Sequence, residues 1–341
     1  RLKNSLTSRY GKLCLYKNER VSAFEKTFLK KLSSKLKSEQ LTYYPEVSKL
    51  YQSLAKHHRL NTKYFILTSG IDGAIKNCFD LFVSKGDKVI VLKPTFAMVD
   101  IYCDIAEAKK INITYDNKME LNIRKLMNSI NRKISLIVIA NPNSPTGTII
   151  SKQDIKKIVK KAYLHRVPIL VDEAYFEFSG FSVLPLLKKY KNLMIARTFS
   201  KAFGLAGLRV GYIISNPKIS RLFFNLKPMY EVNAVGILAC NLLLKNSWIH
   251  KKYVKDSKKG ENLLIKFLKS HEISYIKTHA NFIYINFSKK INFIYRKLLR
   301  EKIVTKKGLG IKGYNNYLRI TISPIKETKK LILKLKQLIK S

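Results

Sequence analysis

The feature that most constrains this chain is a series of short, continuous apolar runs separated by amphipathic segments. Short runs without polar alternation are typical of strands buried on both faces, as in parallel sheets covered by helices. The predicted strands are residues 64–69, 88–92, 110–115, 135–140, 168–171, 193–197 and 209–214. We therefore predict an α/β fold whose large domain has a mostly parallel central sheet sandwiched by helices.

The last third of the chain has a different pattern. It combines one long Lys-rich helix (250–270), three strands (275–277, 282–287 and 317–323) and a closing amphipathic helix (327–339). This mixture predicts a smaller α+β domain. We place the large domain at 40–235 and the small domain at 236–341, with the N-terminal segment 1–39 packed onto the small one.

The charge is strongly positive, with 66 Lys+Arg against 22 Asp+Glu and a net charge of +44. A hydrophobic content of 46% nevertheless excludes a disordered chain. The basic residues spread along the whole sequence instead of forming one block, so a basic nucleic-acid-binding protein is kept as an alternative hypothesis only. We expect small-molecule partners, no specific nucleic acid and no membrane, because no apolar run approaches the ~18 residues of a membrane span.

The cysteines and histidines give no sign of a disulfide framework or a metal site. The four cysteines lie far apart, and the six histidines are scattered without ligand spacing. The N-terminal residues 1–16 lack the apolar stretch of a secretion signal. These features predict a protein of the reducing cytoplasm that binds no metal.

Polar residues follow several of the predicted strands, at the edge of the sheet where ligands bind in such folds. They are Asp172 and Tyr175 after one strand, Thr198, Ser200, Lys201 and Arg209 after another, Gly70-Ile71-Asp72 at a helix start, and the turn 141–147. A lysine beside hydroxyls, an arginine and a helix N-terminus suits a phosphorylated ligand that needs an amine nucleophile. A separate carboxylate suits a cationic ring nitrogen. Pyridoxal phosphate meets all of these needs.

Six segments make the family resemblance specific. They are YPE (44–46), NPNSPTG (141–147), VDEAY (171–175), RTFSKAFGLAGLRVGY (197–212), ANF (280–282) and LRIT (318–321). In this order and approximate spacing they resemble the signature segments of fold-type I, pyridoxal phosphate-dependent aminotransferases. Within that group the chain is most similar to the histidinol-phosphate aminotransferases, over about residues 14 to 324.

Carried over position by position, the resemblance implies three catalytic residues. Lys201 corresponds to the lysine that forms the Schiff base with the cofactor and then moves a proton on the substrate. Asp172 corresponds to the acid that holds the proton on the ring nitrogen, and Tyr175 to the donor to the ring oxygen. Amino transfer then proceeds as two successive half-reactions, the ping-pong scheme.

The resemblance also implies further contacts to the cofactor. The phosphate is held by an arginine, two hydroxyls and two backbone N–H groups, at Arg209, Thr198, Ser200, Ile71 and Asp72. Phe96 stands where a tyrosine usually stacks on the ring, so a hydroxyl is lost. Asn143 and Ser144 stand near the usual asparagine donor to the ring oxygen. Ser144 has a shorter reach than that asparagine, and its bond to Pro145 is expected to be cis.

Two further implications concern the partner subunit and the substrate. Tyr44 resembles a tyrosine that reaches the phosphate across a subunit interface, which implies a homodimer with a shared active site. Arg319 corresponds to the arginine for the anionic end of the substrate. Lys306, Asn18 and Asn281 complete the implied substrate site, with Lys306 in place of a second arginine.

The resemblance leaves the reaction open in one respect. Transfer of an amino group between histidinol phosphate and 2-oxoglutarate is the leading hypothesis. Threonine-phosphate decarboxylases look similar and break the bond to the carboxylate instead, and a transaminase of another amino acid would share the same motifs. The bond that reacts depends on which substituent stands perpendicular to the cofactor ring, and sequence does not determine this.

Overall fold

The computed structural model describes residues 8–308 and 313–340. Its strands are β1 (Leu13–Cys14), β2 (Phe65–Thr68), β3 (Lys88–Lys93), β4 (Lys109–Thr114), β5 (Ile134–Ala140), β6 (Ile169–Asp172), β7 (Leu193–Thr198), β8 (Gly211–Ser215), β9 (Tyr275–Lys277), β10 (Phe282–Asn286), β11 (Ile303–Val304), β12 (Lys306–Lys307) and β13 (Tyr317–Thr321). The N-terminal residues 1–7, which belong to the predicted segment 1–39, lie outside the described part, as do 309–312 and 341.

The helices between these strands follow the apolar periodicity of the sequence. They are α1 (Lys26–Ser33), α2 (Glu39–Thr42), α3 (Ser48–His58), α4 (Gly70–Phe82), α5 (Ala97–Ile105), α6 (Ile123–Ser129), α7 (Lys152–Leu164), α8 (Phe176–Ser179), α9 (Pro217–Leu226), α10 (Ala234–Lys245), α11 (Trp248–Ser270), α12 (Ile291–Arg300) and α13 (Ile325–Lys340). Across the described residues, none of these helices is long and apolar enough to cross a membrane.

Seven strands form the central sheet of the larger unit, in the order β2-β8-β7-β6-β5-β3-β4. Only the pairings of β8 with β2 and β7 are antiparallel, and the other neighbours run parallel. Every residue of β2, β6, β7 and β8 is buried, as expected for strands covered on both faces. The predicted α/β fold is confirmed.

A smaller antiparallel sheet, in the order β12-β13-β10-β9, belongs to the C-terminal part. Strands β10 and β13 pair over their full lengths, from Phe282 opposite Thr321 to Asn286 opposite Tyr317. The short strands β1 and β11 form a separate parallel pair. The predicted α+β arrangement of the last third is therefore confirmed as well.

The described chain divides into two compact units, one formed by Phe24–Lys251 and one that combines residues up to Ala23 with those from Lys252 onward. The segments 24–39 and 236–251, which the sequence analysis assigns to the small domain, lie in the larger unit here. The physical reason is burial, since Phe28 belongs to the core of the larger unit and α10 packs against α3.

The start of α4 lies at the residues that the sequence analysis places at a helix start. Residues 70–73 form the first turn of this helix. Gly70 has a φ of +68°, which favours glycine, and a Cβ there would lie 2.8 Å from Nη2 of Arg209. A Cβ on Gly211 would in turn lie 2.7 Å from the carbonyl carbon of Gly70. The two glycines therefore allow β8 and Arg209 to approach the N-terminus of α4 closely.

Candidate active site

The candidate site lies at the carboxyl ends of the parallel strands of the larger unit. Asp172, the last residue of β6, pairs in register with Ala140 of β5 on one side and Ala196 of β7 on the other. The backbone N–H of Asn141 donates to the carbonyl of Asp172 at 2.8 Å. Because both neighbours have only a methyl side chain, the carboxylate is flanked by small groups at the edge of the sheet.

The carboxylate of Asp172 is withdrawn from water, with 6% of the residue exposed. Its Oδ1 accepts a hydrogen bond from the backbone N–H of Ala174 at 2.8 Å. Burial raises the pKa of Asp172 from 3.8 to about 7, and the Ala174 N–H and the charge of Lys201 oppose that rise. A cation placed against this carboxylate would favour its ionised form, so Asp172 fits a protonated ring nitrogen.

Lys201 and Tyr175 lie together near Asp172. The Nζ atom of Lys201 lies 5.7 Å from the centroid of the Tyr175 ring, and the Lys201 charge acts on the Asp172 carboxyl. Tyr175 is buried and occupies the position just before α8. The structure therefore brings the three predicted catalytic side chains into one neighbourhood.

The predicted phosphate ligands surround the N-terminus of α4 and the loop after β7. The Oγ of Ser200 is buried and has no hydrogen-bond partner among the residues that the structure describes. Thr198, also buried, accepts from the backbone N–H of Ser200 at 3.1 Å. The Nη2 of Arg209 donates to Oδ2 of Asp72 at 3.1 Å, and Ile71 precedes Asp72 in the first helical turn. N–H groups of a first turn lack intrahelical acceptors, so this cluster presents donors suited to an anion.

The loop after β5 is held by the amide of Asn143. Its Nδ2 donates to the Pro94 carbonyl at 2.9 Å and to Oγ1 of Thr146 at 2.8 Å, and its Oδ1 accepts from Thr95 at 2.9 Å. Asn143 is fully buried, and its amide therefore fixes the loop before α5 to the loop after β5. The adjoining Ser144 is half-buried.

Three more predictions concern the Ser144–Pro145 bond and the rings of Phe96 and Tyr44. The Ser144–Pro145 peptide bond is cis, as predicted. Phe96 is half-buried and immediately precedes α5. The ring of Tyr44, by contrast, is 74% exposed and stacks on Tyr230 with ring centroids 4.0 Å apart. The structure thus places Tyr44 on an exposed aromatic pair.

The four predicted substrate residues belong to the smaller unit. Arg319 is 7% exposed; its Nη2 donates to the Tyr16 carbonyl at 2.7 Å, and its Nε is buried with no hydrogen-bond partner in the described chain. Lys306 pairs in register with Arg319 across β12 and β13. Loss of hydration and the Arg319 charge lower the pKa of Lys306.

Asn18 and Asn281 lie next to the same sheet. The N–H of Asn18 donates to Oγ1 of Thr321 at 3.1 Å, and Nδ2 of Asn281 donates to the Asn18 carbonyl at 3.0 Å. Both asparagines are buried, and Asn18 has a left-handed φ of 57°. These two bonds therefore anchor the N-terminal segment beside β10 and β13.

Sequence reasoning missed two acidic residues at this edge of the sheet. Glu173 forms a buried ion pair with Arg197 at 2.8 Å. Both residues are sequence neighbours of predicted site residues but were not themselves predicted to belong to the site. The sequence did carry a signal, because Arg197 is a charged residue that ends the apolar run of the predicted strand 193–197. The Oε1 of Glu231 accepts from the N–H of Ser69 at 3.0 Å, just before α4. No local pattern in the sequence indicates that long-range contact.

The sequence profile of the family described as "Aminotransferase class I and II" matches residues 17–335. The histidinol-phosphate aminotransferase of Caldanaerobacter subterraneus subsp. tengcongensis is 32% identical over 94% of this chain and 92% of its own length.

Solved structures share the fold. The crystal structure of histidinol-phosphate aminotransferase from Sinorhizobium meliloti in complex with pyridoxal-5'-phosphate has a TM-score of 0.83 at 21% identity, over 96% of this chain and 90% of that one. The L-threonine-O-3-phosphate decarboxylase of Porphyromonas gingivalis has a TM-score of 0.78 at 19% identity, over 96% of this chain and 100% of that one.

The buried carboxyl of Asp172 generates a prediction about stability. In the folded protein the carboxyl of Asp172 stays protonated up to about pH 7, whereas in the unfolded chain it loses its proton near pH 3.8. The Asp172 contribution to the free energy of unfolding therefore falls as the pH rises between these values. We expect Asp172→Asn to raise the free energy of unfolding of the cofactor-free protein at about pH 8, by at most about 4 kcal/mol. Near about pH 4 the substitution should change this free energy little.

Urea denaturation of both proteins across this pH range measures the effect. Asp80→Asn, on the exposed face of α4, is the matched control and should not reproduce the pH dependence of the difference. Equal stabilities of wild type and Asp172→Asn at about pH 8 would contradict the desolvation of this carboxyl.

Proposed function

The chain belongs to the class I and II aminotransferases, and on that premise we propose that it transfers an amino group between histidinol phosphate and 2-oxoglutarate, with pyridoxal phosphate as cofactor. One observation carries the chemistry: an amine, a desolvated carboxyl and a buried hydroxyl without a partner in the described chain meet at neighbouring strand ends, as Lys201, Asp172 and Ser200. The name shared by the curated relatives supports the choice of substrate.

The side chains at these strand ends fit pyridoxal phosphate. Donors to a phosphate are the guanidinium of Arg209 and the Oγ of Ser200, which has no hydrogen-bond partner in the described part of the chain. The buried carboxyl of Asp172 offers an acceptor to a ring N–H that carries positive charge. When bound, this cofactor withdraws electrons from the bonds around the amino-bearing carbon of the substrate.

We assign the individual steps to three side chains of the larger unit. The Nζ of Lys201 would hold the cofactor through its aldehyde and then take up and return the proton of the substrate's amino-bearing carbon. Asp172 would keep the proton on the ring nitrogen, because a nearby anion favours the charged ring. Tyr175, whose ring lies 5.7 Å from Nζ of Lys201, would donate its phenol proton to the ring oxygen.

For the phosphate and carboxylate ends of the substrates we propose Arg319 and Lys306. An arginine fork accepts either oxyanion, which suits a site that must hold two different amino donors in turn. Among the described residues the Nε of Arg319 has no hydrogen-bond partner, and Lys306 places a second positive charge opposite Arg319. Asn281 and Asn18 would support the site by fixing the N-terminal segment.

We also propose a homodimer with shared active sites. Two segments of the larger unit, joined by the stacked rings of Tyr44 and Tyr230, expose large apolar side chains. These side chains are Leu41, Tyr43, Tyr44, Met229 and Tyr230. Exposed apolar surface of this kind favours association. In the dimer Tyr44 would bind the cofactor phosphate of the partner subunit.

For the cellular compartment we propose the reducing cytoplasm. All four cysteines are free thiols, and Cys78, Cys103 and Cys240 are buried. Burial raises the pKa of the Cys103 thiol to about 11, which disfavours the reactive thiolate. Free cysteines without a partner for oxidation are typical of proteins in reducing compartments.

The assignment of Lys201 is tested by substitution. We expect Lys201→Ala to abolish amino transfer, because alanine has no amine to hold the cofactor or to move the proton. The phosphate donors should still bind part of the cofactor. Borohydride reduction of the wild type should fix one pyridoxyl group on Lys201, detected by mass spectrometry, and none in the variant. Lys218→Ala, at an exposed position of α9, is the control. Full activity in Lys201→Ala would contradict the mechanism.

The substrate is tested by half-reactions of the pyridoxamine form. We expect both 2-oxoglutarate and imidazole-acetol phosphate to be converted, and the acetol without phosphate to react far more slowly. Arg319→Ala should lower kcat/KM for both by about tenfold or more, since it removes a charge-assisted hydrogen bond. Lys307→Ala, whose Nζ contacts Asn292 instead, should change neither rate. Release of CO₂ from phosphothreonine would favour the decarboxylase, whose fold this chain shares.

The shared site is tested by complementation between subunits. We expect sedimentation to give twice the 39.4 kDa mass of one chain, and Tyr44→Ala to weaken cofactor binding about tenfold through loss of a hydrogen bond to a charged group. At limiting cofactor, hybrids of Tyr44→Ala and Lys201→Ala chains should regain one intact site per dimer. Hybrids that regain no activity would show that Tyr44 serves its own subunit or no site.

A further inference from the structure

A buried ion pair lies directly behind the strand ends of the proposed active site. Glu173 is fully buried, and Arg197 is 3% exposed. The Nε and Nη2 atoms of Arg197 donate to Oε2 of Glu173 at 3.0 and 2.8 Å. Replacing such a pair by well-packed apolar residues is often neutral or even stabilising, because both charges lose their hydration. Stability alone therefore gives no reason for charged residues at this place.

The pair connects the two strands that carry the proposed catalytic groups. Glu173 follows Asp172 in the sequence, and Arg197 precedes the loop that holds Lys201. The backbone N–H of Glu173 donates to the carbonyl of Ala196 at 2.9 Å, the last rung before the chains diverge. The side-chain pair thus ties β6 to β7 just where their regular backbone pairing ends.

The same guanidinium also reaches neighbouring segments. Its Nη2 donates to Oγ of Ser182 at 2.8 Å, and its Nη1 lies 3.5 Å from Nδ1 of His58. The Nε2 of His58 lies 3.0 Å from the hydroxyl of Tyr212, which pairs with Arg197 in the register of β7 and β8. The planar guanidinium of Arg197, here called the fork, therefore contacts the segment after α8, the end of α3 and, through His58, strand β8.

We propose that Arg197 is a positioning residue whose fork, held by Glu173, fixes the Asp172 carboxyl and the Lys201 amine at their working separation. This inference rests on the proposed function, since that function defines the working geometry. The guanidinium of Arg197 sits over the Phe176 ring at 3.7 Å, so the ring blocks its movement towards that side. Small displacements of reacting groups slow a reaction strongly, since a shift of about 1 Å lowers the rate by about 100-fold.

The geometry of the fork, more than its charge, is what this role requires. Three nitrogens of Arg197 contact three different side chains at once, those of Glu173, Ser182 and His58. A lysine keeps the positive charge but offers one nitrogen, which cannot reproduce these directions. Arg197→Lys therefore separates positioning from electrostatics.

The experiment compares Arg197→Lys with Ile158→Ala, a truncation of a fully buried core residue on α7 in the same unit. Both variants should lower the Tm. We expect only Arg197→Lys to lose about 100-fold in kcat with a much smaller change in KM. It should also show a lower yield of borohydride-fixed cofactor on Lys201 at saturating pyridoxal phosphate. Both are measured well below the Tm of each variant.

The outcomes are separable from those of the proposed function. Wild-type protein that fixes no cofactor on Lys201 would overturn the proposed function. Wild type that fixes cofactor while Arg197→Lys keeps a normal kcat and yield would overturn the positioning role. Should Arg197→Lys not fold, Glu173→Gln, which keeps the side-chain shape, serves in its place. A folded Glu173→Gln variant with wild-type kcat and fixation yield would equally overturn it.

Discussion

The larger unit is organised around one carboxyl group that is held out of water at the end of β6. Taking Asp172 from solvent costs free energy, which shows as the rise of its pKa to about 7. The fold limits that cost with the N–H of Ala174 and the positive charge of Lys201. Two flanking alanines leave space beside the carboxylate. Such an arrangement is unfavourable by itself and becomes favourable when a cation lies against it.

Much of this arrangement could be predicted from local sequence. Continuous apolar runs such as residues 135–140 indicate buried parallel strands, and polar residues directly after them lie at one edge of the sheet by topology. For this reason Asp172 and Lys201 could be placed near each other without a structure. Their proposed roles depend on chemistry that the pattern alone does not test.

Other features depend on contacts that are distant in sequence. The need for glycine at position 70 comes from the close approach of Arg209 and Gly211, more than 130 residues away. Whether the amide of Asn143 faces a ligand or a neighbouring loop is decided by Pro94 and Thr95, in the loop between β3 and α5. Sequence periodicity describes one helix or strand at a time, so it does not predict which elements contact each other.

The positive charge of the chain is consistent with the anions that the proposed reaction handles. On α7 the apolar side chains Ile155, Ile158 and Val159 are buried, whereas Lys156 and Lys160 are exposed. Lysines therefore cover the solvent face of a helix whose other face builds the core. An excess of positive surface charge raises the local concentration of phosphorylated and carboxylated small molecules.

The pairing of Lys306 with Arg319 has a consequence for the lifetime of the protein. Two like charges opposite each other on neighbouring strands repel and weaken the smaller sheet. If these residues bind the substrate as proposed, a dianion between them would remove that repulsion and favour the folded state by mass action. We expect the ligand-free chain to be the form that proteases degrade first.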